Sequence, residues 1–148
     1  MEKIFQYFFI LFFIIFLNGC APIQETAKVI WGSSTNALEK ARPQAISKTF
    51  HCNFDECFDA VVSLEHTSKS KEFIPEGVFD IFIKDRKKAH LVVMGVTGSE
   101  QATEVGIFFV RMSPEIVKIE ISSLSHTAKE KAAEAIFATL TSKFKESQ

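Results

Sequence analysis

The sequence predicts an α+β fold: an antiparallel sheet of about four to five strands with two main helices packed on one face, preceded by a signal peptide and a tether. Three observations lead there. Several short runs alternate apolar with polar residues, as strands do. Two other segments carry apolar residues at helical spacing behind a capping pattern. The runs follow one another as strand, helix, four strands, helix, which gives hairpins flanked by helices.

The chain opens with Lys3 and an almost wholly apolar run over residues 4–17, closing on Leu17-Asn18-Gly19-Cys20. A basic start, an apolar stretch of about 7–15 residues and a small residue at the cut are the parts of a secretory signal. The run is too short for a spanning helix, which needs about 20 apolar residues. An ordinary signal ends Ala-x-Ala, whereas Leu17-Asn18-Gly19-Cys20 resembles the lipobox of bacterial lipoproteins. That resemblance implies removal of residues 1–19, a diacylglycerol on the Cys20 sulfur and acylation of its new amine. The membrane would then hold the chain through acyl chains, each buried methylene contributing about 0.8 kcal/mol. Ala21 follows Cys20. In the Gram-negative lipoproteins that the motif resembles, the absence of Asp there implies the periplasmic side of the outer membrane. In an organism without an outer membrane, the same anchor implies the cell membrane.

Residues 20–44 read as a lipidated tether. It is polar over 21–28, has a short apolar patch at Val29-Ile30-Trp31, and passes through Gly32-Ser33-Ser34. Asn36 with Glu39 fits a capping box, so residues 37–42 form a short helix ended by Pro43. Isolated short helices are unstable in water. This one needs a surface to dock on, which is the domain, the membrane or a partner.

Residues 45–148 form the domain proper. Ile46, Lys48 and Phe50 alternate with Ser47, Thr49 and His51 as a strand. Asn53 caps the next helix and Glu56 closes its box, with Phe54, Cys57, Phe58, Val61 and Leu64 as the apolar stripe. Four strands follow. Residues 78–84 place Phe79, Ile81 and Ile83 on one face, and Asp85-Arg86-Lys87-Lys88 turns the chain. Residues 89–96 and 104–112 are the next two, and Ser113-Pro114-Glu115 makes a tight turn. Residues 116–124 alternate Val117, Ile119 and Ile121 with Lys118, Glu120 and Ser122. The last helix opens on a second capping box, Thr127 with Glu130, and carries Ala132, Ala133, Ile136, Phe137, Leu140 and Phe144 on one face.

Cys52 and Cys57 sit just before the Asn53 cap and at the fourth helical residue, the two positions that meet in a hydrophobic staple. A disulfide between them is geometrically plausible, and an exported chain meets an oxidising compartment. Two other readings stay open: reduced packing cysteines, or a reactive pair near a helix start, where thiolates are favoured. The spacing is not the C-x-x-C of a thiol oxidoreductase.

Composition narrows the function classes. Six of the 16 Phe residues and the single Tyr lie within residues 1–19, and those that remain, Phe50, Phe58 and Phe109 among them, supply a core. A formal net charge of −1 gives no steering toward nucleic acid. No cofactor motif is present. His51 with Cys52 and Cys57 offers three metal donors where structural zinc takes four, so no metal site is expected. Ser99 lies in Thr97-Gly98-Ser99-Glu100, which lacks the G-x-S-x-G of a nucleophile elbow, and Asp80, Asp85 and Glu104 fall at spacings that do not pair them. No catalytic residue is therefore assigned. The basic turn Arg86-Lys87-Lys88 reads as a solvated hairpin tip, or as a contact for anionic headgroups.

Both faces of the middle strands are apolar. His90, Val92, Met94 and Val96 alternate with Ala89, Leu91 and Val93, and Phe108 and Val110 alternate with Ile107 and Phe109. A half-exposed antiparallel sheet shows one polar face, so something covers the second one. The candidates are residues 29–42 folding back with Trp31 as anchor, or a partner protein or lipid lying on Val92, Met94, Phe108 and Val110.

The order of elements over residues 45–144 is similar to that of small bacterial envelope lipoproteins with an α+β domain of unknown function. It is similar, more distantly, to the modules of an accessory lipoprotein of the outer-membrane β-barrel assembly machinery. The resemblance implies a non-catalytic binding or structural module with an envelope protein as partner. The alternative is a carrier or sensor of an apolar ligand or lipid held between sheet and helices.

Overall fold

Side-chain alternation decides where the sheet forms and what each face meets. The computed structural model describes residues 35–67, 77–99 and 103–146, all within one compact unit, Thr35–Gln148. The segment read as a signal sequence, Leu17-Asn18-Gly19-Cys20 and Val29-Ile30-Trp31 lie outside the described residues. Residues 35–40 are helical (α1) and lead through a 3-10 turn, Arg42–Gln44, into β1 (Ile46–His51). There follow α2 (Phe54–Val62), β2 (Asp80–Asp85), β3 (His90–Met94), β4 (Val105–Ser113), β5 (Ile116–Ser123), α3 (His126–Lys143) and β6 (Lys145–Glu146).

The fold is α+β, as the sequence predicts. Its sheet has the order β2-β3-β4-β5-β1-β6, and every neighbouring pair runs antiparallel. It holds six strands rather than four to five. The extra one is the two-residue β6, which leaves the end of α3 through an extended Phe144 and pairs Glu146 with Phe50 and Lys145 with His51. Two exposed charged residues carry no apolar alternation, so nothing in their pattern announces a strand.

On one face, called the first, α2 and α3 close a single core with the sheet. Phe50 from β1, Leu91 and Val93 from β3, Ile107 and Phe109 from β4, and Ile119 and Ile121 from β5 meet Phe58 and Val61 of α2 and Ile136 and Leu140 of α3. The rings of Phe54, Phe58 and Phe109 lie 5.1–6.0 Å apart, within the range of favourable aromatic pairs. Asn53 caps α2 as expected: its side chain accepts from the Glu56 amide, and the Glu56 carboxylate accepts from the Asn53 amide.

Three expectations are corrected. The cap of α3 is Ser125, whose extended backbone lets its hydroxyl accept from the Ala128 amide. Thr127 is therefore already the second helical residue and caps nothing, while Glu130 pairs with His126 one turn earlier. Residue 35 is already helical, so Asn36 lies inside α1 rather than at its cap. Lastly, Ile81 and Ile83 do not share a face. A bulge between them shifts the register, so that Ile81 opposes Val93 while Ile83 opposes Val92. An extra residue in one strand reverses the facing of everything beyond it. Ile81 packs against the main core and Ile83 against the opposite face.

Candidate functional site

The second sheet face is apolar at its centre and polar toward β1. Val92 and Phe108 are buried there, at 1% and 5% exposure, with Ile83 packed beside them. Met94 and Val110 are half-buried on the same face. Toward β1 the register continues through Lys118, Glu120 and Ser122 of β5 to Ser47 and Thr49.

Residues 35–44 lie on this face as a strap. Leu38, the one fully buried residue among them, packs on Val92 and Phe108. The floor beneath it is Gly106, where a Cβ would stand 2.8 Å from Phe108 Cε2 and 3.3 Å from the Leu38 Cβ. Only glycine lets the Phe108 ring and the leucine settle that close to the strand. One turn after Leu38, the Arg42 guanidinium sits 4.6 Å from the Phe108 ring centroid and donates to Glu120 Oε2 from Nε and Nη2, at 2.9 and 2.6 Å. Lys118 Nζ stands 2.8 Å from the other Glu120 oxygen. Burial pushes the Glu120 carboxyl up, but hydrogen bonds from Lys118 and Arg42 outweigh it and hold it below the usual carboxylate value. Ser122 donates its hydroxyl to the Leu38 carbonyl at 2.7 Å, and Lys129 of α3 donates to the Gln44 carbonyl at 2.8 Å.

Burying Leu38 contributes about 1.5–3 kcal/mol, and the Arg42 guanidinium and the hydrogen bonds to the Leu38 and Gln44 carbonyls add to it. His90 flanks the strap on the same face, with its ring 6.1 Å from that of Phe108. Burial pulls its pKa down, Asp85 and Glu39 oppose this, and Lys88 adds to it; the net direction is downward.

The sulfurs of Cys52 and Cys57 stand at disulfide-bonding distance, with their Cα atoms 6.0 Å apart. Both residues are buried, at 4% and 0% exposure. The pair brackets the Asn53 cap and joins the end of β1 to the first turn of α2. His51 beside them is exposed, and among the described residues no three His, Cys, Asp or Glu side chains gather in a metal-binding group.

The basic turn between β2 and β3 does not present three free cations. Arg86 pairs with Asp55 and Asp59 of α2 and lies 4.5 Å from the Phe58 ring centroid. Hydrogen bonds to Asp59 and then Asp55 raise its pKa further. Arg111 stacks 3.9 Å from the Phe54 ring centroid, so two guanidiniums roof the aromatic cluster. Lys87 and Lys88 are exposed.

At the other end of the sheet, His66 Nδ1 lies 3.1 Å from Asp80 Oδ1 and His66 Nε2 lies 3.5 Å from Thr97 Oγ1. The order is that of a hydroxyl–imidazole–carboxylate relay. The Thr97 hydroxyl, however, donates to the Val78 carbonyl at 3.2 Å, and the Asp80 side chain is 70% exposed. Backbone bonds from His66 to Phe79 and from Val78 to Leu64 bind the same corner. The cluster fastens the end of α2 to β2 and β3.

The structure thus brings Val92, Met94, Phe108 and Val110 onto one face, with the first and third beneath Leu38. Gly106 and Glu120 escaped the sequence reading of the site, and Leu38 and Arg42 entered it only as members of the 29–42 cover. The available signals were the four-residue spacing of Leu38 and Arg42 and a lone glycine within an apolar strand. Among the described residues no helix is long and apolar enough to cross a membrane. Neither protein-family models nor curated proteins yielded a match to this chain.

Proposed function

We propose that this chain is a lipid-anchored, non-catalytic binding module of the bacterial envelope, and that its working surface is the second sheet face. One observation carries the reading: a sheet face with an apolar centre is covered by a strap drawn from the segment that leads back to Cys20. An apolar sheet face suits protein contact better than chemistry. The motif Leu17-Asn18-Gly19-Cys20 supplies the anchor, through acyl chains on Cys20. Export to the periplasmic side of the outer membrane follows from Ala21, and the oxidising compartment there favours a closed Cys52–Cys57 bond.

Met94 and Val110 test the surface best, because they are half-buried and lie beside rather than beneath Leu38. Met94→Lys and Val110→Lys should remove a specific crosslinked adduct of the chain in intact envelopes while the melting temperature stays within a few degrees of the wild type. If both variants keep the adduct, or both melt the domain, that face is not a contact surface. The second reading, an apolar ligand or lipid held between sheet and helices, requires a ligand mass to persist in native mass spectra of gently purified protein.

A further inference from the structure

We propose that docked α2 shields the Cys52–Cys57 pair from redox partners, and that Arg86 is the clasp that holds this shield shut. The bond therefore forms before α2 seats on the sheet, and it is reduced only when the first turn of α2 lifts. The inference goes beyond the binding-module reading and stands on geometry that does not depend on it.

Thiol–disulfide exchange needs direct contact between sulfurs. To make the bond, one cysteine thiolate attacks the disulfide of an oxidant and displaces one of its sulfurs as a thiolate. The other cysteine then attacks the mixed disulfide at the first cysteine's sulfur and displaces the second. The pair gives up two electrons and two protons, and the oxidant's disulfide becomes two thiols. Reduction by a dithiol runs the same steps backward. The folded chain admits neither reaction, because Cys52 and Cys57 are 4% and 0% exposed and pack in the first-face core with Phe54 and Phe58. The two cysteines are only 5 residues apart in sequence, so the unfolded chain brings their sulfurs together without help from the sheet.

What must move is the first turn of α2, since Cys52 follows β1, which the sheet holds between β5 and β6. Two guanidiniums fasten that turn from outside. Arg111 lies over Phe54. Arg86, on the β2–β3 turn, donates to Asp55 and Asp59 and lies on the ring of Phe58. Asp55 and Asp59 flank Cys57, two residues to either side, so Arg86 spans the segment that carries the buried sulfur. Its carboxylate partners are exposed, so each pair adds little to global stability. The effect of the clasp falls on the local opening of α2.

The test takes dithiothreitol as the probe and the full-length chain with Cys20→Ala, so that only the pair is counted. New thiols are trapped with maleimide at intervals and counted by intact mass. The folded chain should lose its bond about a hundredfold more slowly than the same chain in urea. Arg86→Gln should speed the loss from the folded chain by about threefold to tenfold. Arg86→Lys should speed it less, since an ammonium keeps one carboxylate but loses the fork and the ring. If circular dichroism shows Arg86→Gln unfolded, Asp59→Asn removes one of the same bonds from the helix side and the same rates are read. Gly106→Ala separates local from global opening: it weakens the opposite sheet face and should leave the rate unchanged. In the other direction, reduced chain given glutathione disulfide in urea should close its bond faster than chain folded before the oxidant is added. Equal rates in folded and unfolded chain in either direction, an unchanged rate in folded Arg86→Gln, or as large an acceleration in Gly106→Ala overturns the proposal.

Discussion

Gly106 and Leu38 meet across the second sheet face so closely that a methyl group on the glycine would stand 3.3 Å from the Leu38 Cβ and 2.8 Å from Phe108 Cε2. This contact fixes how deep the strap sits and how flat the Phe108 ring lies, and with them the shape of the groove.

Gly106→Ala should therefore lift the strap and tilt Phe108. Overpacking of this kind costs about 1–3 kcal/mol, read as a lower urea midpoint. Amide exchange separates the strap's response from global unfolding. The Ala41 amide, bonded to the Ala37 carbonyl within the strap, should lose protection, while core amides of β4 and β5 keep theirs.

Arg42 and Glu120 should couple. The pair is partly exposed, at 36% and 15% for the two side chains, so a double-mutant cycle of Arg42→Ala and Glu120→Gln should give about 0.5–1 kcal/mol. Because the Glu120 pKa lies below its ordinary 4.5 in the folded chain, its contribution is present above that pH and is lost as pH falls through the depressed value. The coupling should vanish over the same range.

His90 gives a second pH dependence, in a higher window. Its folded-state pKa is below the ordinary 6.5 because burial disfavours the imidazolium. The unfolded chain therefore binds the proton first as pH drops. The contribution of neutral His90 is complete above about 6.5 and shrinks as pH falls from there through the depressed value. Urea midpoints between about pH 5 and 7.5 should fall on acidification, and the slope should flatten in His90→Gln. Equal slopes would show that Asp85 and Glu39 fully offset the burial.

Reducing the Cys52–Cys57 pair, or replacing both by Ala, should lower stability by about 2 kcal/mol, the chain-entropy value for a loop of about six residues. Both residues are buried and packed in the first-face core, so the double Ala variant should lose somewhat more than reduction alone. Calorimetry with and without reductant measures the difference.

Much of the fold was legible because its signals are local. Asn53 with Glu56 announced the start of α2, and the alternation of Val117, Ile119 and Ile121 announced β5 and its buried face. What failed was what neighbours decide. Ile83 reads as a continuation of Ile81, and only pairing with β3 reveals the bulge that sends it to the other face. Thr127 makes as good a cap in sequence as Ser125, and the extended backbone at Ser125 settles it. The site was half legible. Two-sided apolar strands pointed to a covered second face, and residues 29–42 were one of its expected covers. That Arg42 would stack on Phe108 and reach Glu120, 78 residues away, depends on contacts no local pattern encodes.

The proposed anchor bears most directly on the proposed function, and intact mass of the membrane-extracted protein tests it beside a Cys20→Ala control. Lipid anchoring at Cys20 should give a chain beginning at Cys20 with acyl groups added, a two-dalton gain on reduction of the Cys52–Cys57 bond, and an unprocessed, unacylated control. An unprocessed, unacylated mass for the wild type would contradict it, and the envelope assignment would fall with it.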